Sequence, residues 1–116
     1  MINHLALGQR GEAIAQAYVR RYCSVLHLNW KSGRREIDII AGKGNAIYFI
    51  EVKTRSSARY GWPEEAVDWR KQAHIQEAAS DYLLCYNLYP AVIRFDIIAI
   101  ILMGEEYELR HFRDVF

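Results

Sequence analysis

Apolar positions Ile14, Ala15, Tyr18, Val19 and Tyr22 recur at spacings of three and four, opposite a wet face of Gln9, Ala13, Gln16 and Arg20. That period predicts a first helix from about Gln9 to Tyr22. A second stripe, Val67, Ile75, Ala78, Ala79 and Tyr82, predicts a helix from Pro63 to Cys85 or Tyr86. Pro63 suits its first position, Glu64 and Glu65 suit its positive end, and Asn87 to Pro90 closes it. Between the helices lie a short strand near Leu26 to Trp30 and two runs, Arg35 to Ala41 and Ile47 to Arg55. The turn residues Gly42, Lys43, Gly44 and Asn45 make those two runs a hairpin. Ser56 to Trp62 is a loop, Val92 to Leu102 a long apolar strand, Met103 to Glu106 a turn and Tyr107 to Phe112 an edge strand. The order αβββαβ plus one strand predicts an α/β fold of three layers, a mixed central sheet flanked by helices.

Composition changes this picture little. With 116 residues, 52% of them hydrophobic and 25% charged, the chain reads as one domain over residues 1–116 with an ordinary core. Its longest purely apolar run, Ile97 to Met103, is too short to span a bilayer, and no apolar stretch near Met1 suits export. Cys23 and Cys85 stand apart with no zinc spacing, so two reduced thiols in the cytoplasm are expected. A net charge of +1 is indecisive about partners. The clustering says more: Arg20 with Arg21, Lys31 with Arg34 and Arg35, Lys53 with Arg55 and Arg59, and Arg70 with Lys71 allow a locally basic face.

The hairpin carries the candidate chemistry. Centring its turn between Gly44 and Asn45 sets Asp38 opposite Glu51 and Glu36 opposite Lys53. Alternation then puts Glu36, Asp38, Glu51 and Lys53 on one face, and Ile37, Ile39, Ile50 and Val52 on the other. Opposed carboxylates, with Cβ atoms about 4.5 to 5.5 Å apart, repel unless positive charge lies between them. A hard divalent cation meets that need. The plainer alternative is a cross-strand pair decorating a solvated sheet face. The apolar flanks Tyr48-Phe49-Ile50 and Ile39-Ile40 argue instead for a covered central strand, where unpaired charge is costly. Glu12 lies on the stripe of Ala15, Val19 and Tyr22 and can look toward the sheet; the alternative is that it complements the helix N-terminus. Small residues Gly8, Gly11 and Ala15 on that side favour close approach to the hairpin.

These residues also carry a resemblance. Gly8-x-x-Gly11-Glu12-x-x-Ala15, Glu36-Ile37-Asp38-Ile39-Ile40-Ala41, Phe49-Ile50-Glu51-Val52-Lys53-Thr54-Arg55, then Gly61, Ala66-Val67 with Lys71, and Arg94-Phe95-Asp96 together resemble the bacterial YraN-like family. That family looks like a branch of the PD-(D/E)XK nuclease superfamily, with a restriction-endonuclease-like fold, and is similar to archaeal Holliday-junction resolvases. The resemblance implies Asp38 and Glu51 as metal ligands with the carbonyl of Val52, Lys53 as the catalytic lysine and Glu12 as the helix-borne acid. Ile37 replaces the proline of the superfamily name, and Arg35 stands where the family more often has glycine.

The expectation is a Mg²⁺- or Mn²⁺-dependent endonuclease that hydrolyses phosphodiester bonds in DNA, branched or structured nucleic acid included. One metal or two, and monomer or homodimer, stay open. Arg55, Arg59, Tyr60 and Trp62 interleave charge and aromatic surface as a nucleic-acid groove does; the alternative for Trp62 is packing on the second helix. Lys71 reaches a substrate phosphate or else snorkels past the core. Lys31, Arg34 and Arg35 form an opposite basic lip. The four histidines are expected at the surface or in caps, and Asp96 pairs with Arg94 or a nearby loop, without a catalytic part. Two other functions compete: a nucleic-acid-binding protein that keeps the fold with no turnover or only partner-dependent turnover, and an interaction scaffold using exposed aromatics.

Overall fold

The computed structural model describes residues 4–56 and 68–116. Its elements are α1 (His4–Arg20), β1 (Ser24–Ser32), β2 (Arg35–Lys43), β3 (Ala46–Arg55), α2 (Trp69–Cys85), β4 (Val92–Met103) and β5 (Glu106–Phe112). The hairpin closes through Gly44 and Asn45 between the paired Lys43 and Ala46, and Gly44 takes the left-handed φ of 58° that the tight loop needs.

The strands form one sheet in the order β1-β2-β3-β4-β5. All neighbours are antiparallel except β3 and β4, which run parallel because the segment carrying α2 crosses over between them. β4 is buried without alternation from Asp96 to Leu102, as a strand covered on both faces must be. Two cores explain that cover. Ala15 and Val19 of α1 pack on Ile39, Ala41, Ile50, Ile98 and Ile100. Ala78, Ala79 and Tyr82 of α2 pack on Ile37, Ile40, Ile47 and Phe49. Adjacent residues such as Ile39 and Ile40 serve different cores, so the helices lie on opposite faces and the domain is a three-layer α/β sandwich with a mixed sheet.

Several details differ from the periodicity. α1 starts earlier than predicted, at His4. The second helix begins at Trp69 rather than at the predicted Pro63: Asp68, its backbone extended, caps it by accepting the Lys71 amide at 3.0 Å. Arg59, Tyr60, Gly61, Trp62, Pro63, Glu64, Glu65, Ala66 and Val67 lie outside the described residues. His27 is not a surface residue: half-buried under α2, its Nδ1 meets the Tyr82 hydroxyl at 2.8 Å. Gly11, as its small size suggested, lets α1 touch β3; a Cβ there would fall 1.8 Å from Thr54 Oγ1. Gly8 has no such neighbour within 4 Å. Among the described residues, no helix is long and apolar enough to cross a membrane.

Candidate active site

The β2–β3 ladder follows the expected register from Lys43↔Ala46 to Ile39↔Ile50, then stops. Asp38 is the reason. Its Oδ2 accepts the Val52 amide at 2.8 Å, replacing a backbone partner with a side chain. From there β2 continues only with β1, pairing Ile37 with Trp30 and Glu36 with Lys31, while β3 continues with β4 as far as Arg55. The two central strands separate into a wedge at Asp38.

This opening overturns the single acidic face. Asn29, opposite Asp38 on β1, has a left-handed φ of 49°, and around it the alternation of both strands breaks. Ile37 turns to the α2 core with Ile40 and Phe49, whereas Ile39 keeps to the α1 core. Glu36 comes beside Glu12 instead of Lys53: with its amide nitrogen turned toward them, Asn29 donates to Glu36 Oε1 at 3.1 Å and Glu12 Oε1 at 3.2 Å. Glu51 meets α2, with Lys71 Nζ 3.4 Å and Lys53 Nζ 3.8 Å from its Oε2. Lys53 therefore pairs with Glu51 rather than Glu36.

Glu51 is 3% exposed, and Asp38 is near enough to hydrogen-bond it. Burial, then the Asp38 charge, push its carboxyl up to about 7, against the opposing pull of Lys71 and Lys53. Burial also raises the carboxyl of Glu12, helped by Asp38 and Glu36. Asp38 thus couples both acids from the tip of the wedge. A cleft of about 330 Å³ opens there between the start of α1 and the sheet, lined by Gly8, Gln9, Glu12, Asp38, Val52 and Thr54 among others.

Among the described residues, no three His, Cys, Asp or Glu side chains form a ready metal cage. The donors that the resemblance implies, Asp38, Glu51 and the Val52 carbonyl, would all be oxygen, and of these the structure sets the Glu51 carboxylate, buried, against Asp38. That set fits a hard cation that keeps several waters, the habit of Mg²⁺, and does not fit zinc.

The basic residues divide. Arg34 is exposed in the β1–β2 turn, and Arg55 is exposed where β3 ends. Arg35 forms an ion pair with Glu77 of α2, and Lys71 is engaged with Glu51. Arg59 lies outside the described residues. Sequence reasoning passed over Asn29; its signal was an asparagine, tolerant of the left-handed region, inside a run that otherwise reads as strand.

Comparison with known proteins places this sequence in a family. The sequence model of a family described as uncharacterised protein family UPF0102 matches residues 11–100. A UPF0102 protein of Chlorobium phaeobacteroides is 45% identical over 95% of this chain and 92% of its own length. One from Rhodococcus opacus is 37% identical over the whole of both chains, and one from Bacteroides thetaiotaomicron is 37% identical over 100% of this chain and 96% of its own. The chain belongs to the UPF0102 family, the YraN-like family that its motifs resembled.

Proposed function

We propose that this protein is a metal-dependent endonuclease of the PD-(D/E)XK type, acting in the cytoplasm on phosphodiester bonds of DNA, branched or structured nucleic acid included. The observation that carries the reading is the wedge: Asp38 and a buried Glu51, with Lys53 at 3.8 Å, meet where two central strands part, and Glu12 lines the cleft beside them. Asp38, Glu51 and the Val52 carbonyl would hold Mg²⁺ or Mn²⁺. Once bound, the ion supplies a Lewis acid for a phosphoryl oxygen and lowers the pKa of a water.

The remaining work falls to side chains of this chain. Lys53 keeps Glu51 oriented and offers an ammonium to the attacking water or to the charge that develops on phosphorus-bound oxygen. Glu12, raised by burial and its acidic neighbours, is able to carry a proton on the α1 side of the cleft. Arg34 and Arg55 supply phosphate contacts that position a strand without reading its sequence.

The test is cleavage of linear, nicked, flapped and four-way DNA and of structured RNA in Mg²⁺ or Mn²⁺, with Lys53→Ala and Glu51→Gln in parallel. Metal-dependent cutting should fall in both variants by at least about a hundredfold. Cutting that persists unchanged in them would come from a contaminant and would remove the enzyme reading.

One observation favours a second reading, a nucleic-acid-binding protein without turnover. Lys71 stands 3.4 Å from Glu51 and already supplies positive charge to the acid pair. Tight binding in chelator, with no cleavage of any substrate in either metal, would select it.

A further inference from the structure

Toward the other end of α1 lies a polar cluster that the acidic wedge does not use. Asp96 on β4 is fully buried, and its two oxygens are saturated. Oδ1 accepts from Arg94 Nε at 2.9 Å and the Asp114 amide at 3.0 Å. Oδ2 accepts from Arg94 Nη2 at 2.9 Å and His111 Nε2 at 2.7 Å. Burial alone would raise this carboxyl, but the hydrogen bonds from His111, Arg94 and Asp114 hold it below the usual range. A carboxylate only accepts, so His111 donates from Nε2, and its Nδ1 meets the Tyr18 hydroxyl at 2.9 Å. His111 is therefore a part-buried link between β5 and α1, not the surface residue expected from spacing.

A structural role for Asp96 accounts for this chain of hydrogen bonds. It does not account for the space beside it. A cavity of about 210 Å³ opens between Tyr18, Tyr48, Arg94 and His111, with Lys43 and Arg113 at its rim. Asp96 is the only carboxylate among its described lining residues, against three permanent cations. The Arg94 guanidinium lies 3.9 Å over the Tyr48 ring and spends Nε and Nη2 on Asp96, so Nη1 is not consumed by that pair. Surplus fixed positive charge, a forked donor and aromatic walls together form an anion site with a flat side. Its volume, below the roughly 300 to 1,000 Å³ of drug-sized pockets, limits the ligand to a small one.

We infer that this cavity binds a phosphomonoester, its oxyanion met by Arg94, Lys43 and Arg113 and its attached ring or sugar flanked by Tyr18 and Tyr48. The inference does not rest on the nuclease reading. Two sources offer such a group, a free mononucleotide and the phosphorylated end of a strand.

Isothermal titration in chelator separates this site from any metal-held phosphate. Inorganic phosphate and adenosine monophosphate should each bind saturably with one site per chain, and adenosine should not bind at matched ionic strength. The double variant Lys43→Ala, Arg113→Ala changes only exposed residues and leaves the Asp96 cluster intact. It should weaken both ligands at least about tenfold, a loss typical of charge-assisted hydrogen bonds, with an unchanged circular dichroism spectrum. A terminally phosphorylated oligonucleotide that binds, and is displaced by inorganic phosphate, identifies strand ends as the source; binding of the mononucleotide alone identifies the free ligand. Absence of saturable phosphate binding, or equal affinity in the double variant, overturns the proposal.

Discussion

Asp38 is one side chain with three dependants: the Val52 amide it accepts, and the carboxyls of Glu51 and Glu12 whose protonation it favours. Asp38→Asn keeps an oxygen for the Val52 amide and removes the charge. The variant should therefore be as stable as the parent in chelator, or more so, by thermal melting. It should also lose the stabilisation that Mg²⁺ or Mn²⁺ confers on the parent by mass action, about 2.7 kcal/mol at a hundredfold excess over the dissociation constant. A lower melting temperature in chelator, with no metal response in the parent, would make Asp38 a structural ion-pair partner instead. Glu51 gives a second expectation. Its folded carboxyl, near 7, lies above its ordinary 4.5, so the folded state holds the extra proton between those values. Stability from this group is complete below its ordinary value and is lost as pH rises through about 7, on the order of 3 kcal/mol in all. Denaturant titrations in chelator near pH 5 and near pH 8 should show that fall in the parent and a much flatter response in Glu51→Gln. Equal slopes in the two proteins would refute the strained acid pair.

The packing of α1 on β3 sets how closely Glu12 approaches the wedge. Gly11 makes the room for it, since an added Cβ would overlap the Thr54 side chain. Gly11→Ala should destabilise by about 1 to 3 kcal/mol despite alanine's better helix propensity, because the overlap forces the helix outward. Gly8→Ala, with no neighbour within 4 Å, should be neutral or slightly stabilising. A denaturation midpoint that ranks the two variants the other way would contradict this packing. Elements of this kind are readable from the chain itself: the succession of helices and strands, the hairpin register and the inward stripe Ile75, Ala78, Ala79 and Tyr82 follow from period and turn residues. Unbroken alternation, by contrast, does not hold. A side chain standing in for a backbone partner at Asp38, and a left-handed Asn29 across from it, have no periodic signature. The partition of Glu36 from Glu51 is therefore invisible to any assignment of strand faces by alternation. The Arg35 pair with Glu77 and the Tyr18, His111 and Asp96 chain join residues far apart in sequence, and only the fold brings them together.

At the scale of the molecule, a net charge of +1 forbids a strong overall field, so nucleic-acid binding has to come from local cations. Arg34 and Arg55 are exposed cations among the described residues, one on either side of the wedge strands. Reversing both to glutamate should weaken unrelated duplexes alike and reduce the log-log salt slope by about 0.9 for each phosphate that is no longer neutralised. Unchanged affinity and slope by fluorescence anisotropy would place the groove elsewhere. The parallel pairing of β3 with β4 has a further consequence, for how the chain reaches its native state. The β2–β3 hairpin closes over a two-residue loop, a local event on the microsecond scale, but β4 pairs with β3 across a sequence separation of more than 40 residues, with α2 between them. Until that pairing forms, one margin of β3 offers unsatisfied amides and carbonyls beside Phe49 and Ile50, an adhesive edge that any other nascent strand is able to capture. The strand that carries Glu51 and Lys53 is thus also the strand most open to misassembly, and the rate at which β4 docks sets how long that hazard lasts.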